Sequence, residues 1–141
     1  MALEGVEAGA AVSKRIPLLD VHRELGGNVG EFAGWTTVID YGSIVDEHLA
    51  VRRSVGFFDL SHMGRLLVSG ADATRLLDRL VPREIAGVEP GWMAGPTAFL
   101  NESAGFIDDI MTYRLGGMLG GEWMVVPNAA NIERDRVWME E

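Results

Sequence analysis

The sequence predicts an α+β fold, a mostly antiparallel sheet with helices packed against it. Three observations carry that expectation. Short helical patterns punctuated by Gly or Pro alternate with short apolar strands. Three of the strands follow one another closely toward the C-terminus, which suits antiparallel pairing through hairpins. The chain has 141 residues, 48% of them hydrophobic, enough for one domain with a real core.

In chain order, Met1 to Val12 has neither a basic start nor a long apolar run. It is neither a secretory signal nor a basic transit peptide, and residues 1–15 read as a flexible leader. Pro17 to Gly26 reads as a short helix closed by Gly26 and Gly27. Asn28 to Tyr41, rich in Gly with Phe32, Trp35 and Val38 interleaved, reads as a strand and turns. Ser43, three residues before Asp46, marks a helix start. Ile44, Val45, His48, Leu49 and Arg52 recur at helical spacing, and Gly56 supplies the stop. A strand is expected through Phe57, Phe58, Asp59 and Leu60, and another over Arg65 to Gly70.

Ala71 to Val81 is an amphipathic helix with Leu76, Leu77, Leu80 and Val81 on one side. Further strands are expected at Thr97–Leu100, Asp109–Leu115 and Trp123–Val126, with Gly116 to Gly121 as a hairpin loop. Asn128 is placed to cap a last helix carrying Ile132, Val137 and Trp138. Glu140 and Glu141 put negative charge at the end of that helix, where the dipole favours positive charge, and no Gly or Pro stop follows. A chain cut inside a helix and a frayed natural terminus both fit this pattern.

Composition excludes several functions. There is no Cys, hence no disulfide, thiolate metal site or cysteine nucleophile. A formal charge of −9 and a single lysine, Lys14, repel phosphate backbones and anionic membranes, so neither nucleic acid nor membrane is an expected partner. No apolar run approaches the ~20 residues that span a bilayer. Cytoplasmic localisation is the expectation.

The strongest chemical feature is Asn101-Glu102-Ser103-Ala104-Gly105-Phe106-Ile107-Asp108-Asp109, a turn that delivers two acids to a strand. Successive strand side chains point to opposite faces, so one acid faces a pocket while the other faces solvent or caps the turn. A pocket carboxylate can accept a proton, orient an amine or stabilise a cation. The plainer reading is two acids decorating a β-turn. Asp59, Ser61 and His62 fall in one segment and do not make a triad, which needs convergence from several. His22, His48 and His62 lack metal-ligand spacing, and no metal is expected. Walker and dinucleotide glycine patterns are absent.

The order of motifs adds a resemblance. Pro17-Leu18-Leu19-Asp20-Val21-His22, Gly26-Gly27 and Phe32-Ala33-Gly34-Trp35 come first. Arg52, Ser54-Val55-Gly56 and Phe58-Asp59-Leu60-Ser61-His62-Met63-Gly64 follow. Asn101-Glu102, Gly105-Phe106-Ile107-Asp108-Asp109 and Val125-Val126-Pro127-Asn128-Ala129 complete the series. It resembles the opening of the glycine-cleavage T-protein family, folate-dependent aminomethyltransferases, and covers nearly everything from residue 16 onward. Residues 16–141 then represent the N-terminal portion of that family's folate-binding domain, whose whole is a three-part cloverleaf.

The resemblance implies that tetrahydrofolate takes an aminomethyl carbon from a lipoyl-bearing H-protein, with release of ammonia. It implies Asp109 as the pocket carboxylate and Met63, Met111, Tyr113 and Asn128 as residues bordering the folate. Their plainer roles are core packing for the methionines and capping for Asn128. Ala104 stands where the family usually has the first of two glycines, and Pro96 where some members have an aromatic residue. The family's later folate-binding acid and arginine have no counterpart here, so this chain alone is expected to be weak or inactive. Exposed core-type surface is expected to favour self-association. Folate-linked demethylases share the architecture, as do non-enzymatic folate-binding proteins of iron–sulfur assembly, which carry a cysteine motif in a later segment.

Overall fold

The computed structural model describes residues 13–141. The expected leader lies almost wholly outside the described residues. The described chain forms two compact units, up to Asp59 and from Leu60 onward.

In the first unit, β1 (Lys14–Arg15) runs parallel to β3 (Trp35–Asp40), and β2 (Asn28–Phe32) pairs with β3 antiparallel, in the order β1-β3-β2. The strand and turns expected over Asn28–Tyr41 are thus a hairpin. Its two-residue connection, Ala33 and Gly34, has φ of 50° and 76°. Both lie in the left-handed region, the geometry whose twist matches that of paired strands. Helix α1 (Leu19–Glu24) packs on β3, burying Leu19 fully, with Ile16 beside the chain's entry.

Helix α2 (Ile44–Arg53) starts where Ser43 marks it: the Ser43 hydroxyl accepts the backbone N–H of Asp46 at 3.2 Å. The helix ends at Arg53, with Ser54 as its cap, before Gly56 is reached. The strand expected at Phe57–Leu60 does not form. Phe57, Phe58 and Leu60 are exposed, and among the described residues no strand lies alongside to supply a hydrogen-bonded ladder.

The second unit is a four-stranded antiparallel sheet in the order β4-β7-β6-β5, formed by β4 (Leu66–Val68), β5 (Met93–Leu100), β6 (Phe106–Arg114) and β7 (Trp123–Val126). Gly95 and Pro96 fall where the β5–β6 register shifts, between Ala94 and Thr97. Proline has no N–H for a ladder, and β5 is an edge strand that tolerates the gap. One face of the sheet carries Phe99, Ile110, Trp123 and Val125, all buried.

Helix α3 (Ala73–Leu80) covers this face with Ala73 and Leu77, and Trp138 and Met139 of α4 (Ile132–Glu140) join the cluster. The Trp123 indole N–H, buried with its ring, donates to the Thr74 hydroxyl at 2.9 Å. The β6–β7 connection contains a short 3-10 turn at Met118–Gly120. Helix α4 begins after Asn131, which makes no side-chain capping bond, rather than after Asn128 three residues earlier.

Candidate functional site

The turn Asn101–Gly105 is built around one side chain. The Asn101 carbonyl oxygen of the side chain accepts the backbone N–H groups of Ser103 at 3.0 Å and Gly105 at 2.7 Å. This local bonding lets the chain reverse between β5 and β6 without long-range help. Ala104 takes φ of 59° there, the left-handed conformation that favours glycine.

From that turn β6 carries the two acids to opposite faces. Asp108 pairs with Phe99 and points to the core side, where it is buried at 2% exposure. Asp109 pairs with Ala98 and is exposed on the other side. Met111 and Tyr113 follow Asp109 at the strand period of two and share its face, and the Tyr113 hydroxyl donates to the Met111 sulfur at 3.4 Å. Met93 and Met124, the ladder partners of Tyr113 on either side, extend this face, and Met111 remains 40% exposed. The result is an open apolar surface with one carboxylate at its end.

Asn128, just past β7, joins the two acids. Its side-chain amide donates to Asp109 Oδ1 at 2.8 Å, to the Asp109 carbonyl at 3.0 Å and to Asp108 Oδ1 at 3.0 Å. Its backbone N–H donates to Asp108 Oδ2 at 3.1 Å. Asn131 adds an N–H to Asp108 Oδ1 at 2.6 Å. Burial works against the charge on Asp108, but these donors, with a hydrogen bond from Asp135, outweigh it and hold its carboxyl below the usual range.

Asp135, fully buried in the first turn of α4, is pushed the other way, up to about 7. Burial is the main cause, followed by the hydrogen bond to Asp108 and the repulsion of its charge, with Arg134 offsetting part. Two ionised carboxylates would leave the Asp135 oxygens without a donor. A proton on Asp135 turns the contact into one O–H···O bond to Asp108.

Met63 reaches this region through the backbone. It lies half-buried in the turn after Leu60, and the next residue, Gly64, donates to the Pro127 carbonyl at 3.1 Å. A Cβ on Gly64 would stand 2.6 Å from Pro127 and 2.8 Å from Ile132, so only glycine permits the approach. Of the five residues singled out from the sequence, four thus gather around one face and its rim, and Met63 arrives beside the segment that carries Asn128. A separate open cleft of about 590 Å³ is lined by Ser69, Thr74, Arg114 and Glu122.

Residues 18–141 match the family described as the GCVT N-terminal domain. The chain belongs to that family. Among its relatives, "Probable aminomethyltransferase" of Aeropyrum pernix is 50% identical over 117 residues, which are 83% of this chain and 30% of that protein. The aminomethyltransferase of Thermosipho melanesiensis is 42% identical over 128 residues, 91% of this chain and 34% of its own length.

The crystal structure of the glycine cleavage system aminomethyltransferase T from Bartonella henselae superposes with a TM-score of 0.81 at 34% identity. That match covers 91% of this chain and 35% of the Bartonella chain. This GCVT-family chain therefore spans about a third of the length of the relatives it matches. The α+β expectation and the T-protein resemblance both hold.

The sequence missed two arrangements. Asp135 was one charged residue among several on α4, and nothing in its spacing marks a buried acid. The other joins His22, Tyr41 and Asp59 in the first unit. The His22 ring meets the Tyr41 hydroxyl through Nδ1 at 2.5 Å and Asp59 Oδ2 through Nε2 at 2.8 Å. Asp59 is thus bound to a histidine 37 residues away in the sequence. Among the described residues no group of three or more His, Asp or Glu is placed to hold a metal.

Proposed function

We propose that this chain supplies one wall of the folate site of a glycine-cleavage aminomethyltransferase, with Asp109 as its working carboxylate. The observation that carries this reading is the Asp109 carboxylate, held by Asn128 at the end of an open apolar sheet face, in a chain of the GCVT family. The residues suit a flat heteroaromatic amine. Met111 and Tyr113 offer a polarisable surface to its ring, and Asp109 accepts its N–H.

Tetrahydrofolate, when bound, supplies the nucleophilic nitrogen that takes up the one-carbon unit. Asp109 would orient that nitrogen by accepting its N–H, and its free oxygen can take a proton as the nitrogen becomes cationic. Asn128 uses its donors to keep the carboxylate aimed. Met63 borders the same region from the turn beneath Pro127. The donor of the carbon is proposed to be a lipoyl-bearing H-protein, with ammonia leaving, in the cytoplasm. Complete cofactor sites bury most of their ligand, so a single wall should bind weakly and turn over little or not at all.

Calorimetric titration of the purified chain with tetrahydrofolate, alongside Asp109→Ala, tests the reading. Saturable binding that Asp109→Ala weakens by roughly tenfold, the value of one good charge-assisted hydrogen bond, supports it. Absence of binding by a folded chain, or equal binding by the variant, overturns the assignment of Asp109.

A further inference from the structure

We infer that Asp108 and Asp135 are positioning residues: Asp108 grips Asn128 by both its backbone and its side chain, Asn128 thereby aims the Asp109 carboxylate across the sheet, and a proton shared between Asp108 and the buried, otherwise unpartnered carboxyl of Asp135 closes the chain from behind. The inference deepens the proposed function and rests on it only for the role of Asp109. The hold of Asp108 and Asp109 on Asn128 stands by itself as geometry.

The side-chain nitrogen of Asn128 has two protons, and three acceptors lie within 3.0 Å of it. Left to rotate, this amide could serve Asp109 in more than one way. Asp108 removes that freedom. Its two oxygens take different groups of the same residue, the Asn128 backbone N–H on Oδ2 and the side-chain amide on Oδ1. This two-point hold fixes the Asn128 torsions as well as its position. Asn131 adds a third donor, on Oδ1.

Holding a carboxylate in the core requires that its own oxygens be satisfied, because an unpaired buried charge costs far more than a paired one. Asp135 lies buried within the first turn of α4 with neither carboxyl oxygen partnered, so one proton between it and Asp108 would serve both carboxyls. Two side chains with no access to a ligand on the open face thus decide where a third one points. An apolar pair at these positions would fill the same volume. It would leave the Asn128 donors only water and Asp109 to bond with.

The charged groups facing the pair are few. Arg134, the neighbour of Asp135 on α4, approaches its Oδ1 at 3.8 Å. The Arg134 guanidinium also donates to the Ile107 carbonyl on β6. Asp109 itself lies on the opposite face.

The test reads the Asn128 side-chain amide protons by NMR, with exchange measured in the whole chain at a pH near 6. Four samples are compared: wild type, Asp108→Asn, Asp135→Asn and Asp135→Leu. Asn at 135 keeps an N–H donor toward Asp108, whereas Leu fills space without one. The relay predicts that Asp135→Asn retains the wild-type amide shifts and protection. Asp135→Leu should lose protection by roughly tenfold, the scale of one hydrogen bond. Asp108→Asn should lose it similarly, since an amide replaces the acceptor on one side.

If Asp108→Asn does not fold, the two Asp135 variants decide the matter. Equal behaviour of Asp135→Asn and Asp135→Leu, or an unchanged Asn128 amide in a folded Asp108→Asn chain, overturns the inference. Tetrahydrofolate affinity, measured on the same variants, then separates the two ideas. A disturbed Asn128 amide in a chain that never binds folate condemns the functional reading and leaves the relay standing.

Discussion

At the scale of single residues, the contrast between Asp108 and Asp109 shows how far one strand position changes a side chain's chemistry. Both are aspartates in the same turn-strand unit, yet one is in the core with fixed donors and the other faces outward. The alternation was legible in the sequence, because strand periodicity alone sends neighbours to opposite faces. Their third member was not, since Asp135 comes from α4, and only tertiary packing brings it to Asp108. Its carboxyl sits near 3.8 in an open chain and at about 7 in the fold. The folded state therefore binds the extra proton across that interval, and stability must fall as pH rises from about 4 through 7. Asp108, shifted downward, acts only below that interval. Urea midpoints measured from pH 5 to pH 8 should decline in the wild type. In Asp135→Asn, which has no proton to lose, the decline should be much flatter, and an equal slope in both would show that Asp135 titrates normally.

At the scale of elements, the helices and strands that obeyed a local rule came out where the rule put them. Ser43 caps α2 through the bond its type favours, and β7 spans the four apolar residues where a strand was expected. Failures occurred where a neighbour mattered more than propensity. Phe57–Leu60 has apolar residues but no ladder partner, and Asn128 abandons the helix start for two carboxylates. The connection between β5 and β6 carries a visible strain. Ala104 occupies a left-handed conformation with φ of 59°, at the position where the resemblance led one to look for glycine. Relief of that strain is worth ~1–2 kcal/mol, less the ~0.4–1 kcal/mol that glycine gives back through a freer unfolded chain. Ala104→Gly should therefore stabilise the chain by up to about 1.5 kcal/mol, seen as a higher thermal midpoint. A lower midpoint would mean that the turn is held by the Asn101 bonds against any preference at position 104.

At the scale of the whole molecule, the second unit holds a continuous core between α3, α4 and one sheet face, while the opposite face keeps large apolar side chains in solvent. The first unit also exposes Val55, Phe57 and Phe58. The sequence made the core side readable through the leucine stripe of α3, but not the division into two units, because apolar content does not reveal which surfaces meet. Leu77 is the centre of that stripe and is fully buried. Leu77→Ala should cost ~2–5 kcal/mol, as buried leucines do when a cavity is left. The measurement is chemical denaturation followed by tryptophan fluorescence, to which Trp123 and Trp138 of the same core contribute. A loss under about 1 kcal/mol would mean that α3 repacks freely. Asn128 stands at the rim between the packed face and the open one, and this gives it a thermodynamic consequence. On the inferred relay, a molecule that steadies the Asn128–Asp109 contact also steadies the Asp108 contact with α4, and by reciprocity a loosened α4 weakens the hold on that molecule by an equal free energy. The same coupling is then readable from either end, as slowed hydrogen exchange in a helix the ligand never touches or as affinity lost to a substitution it never meets.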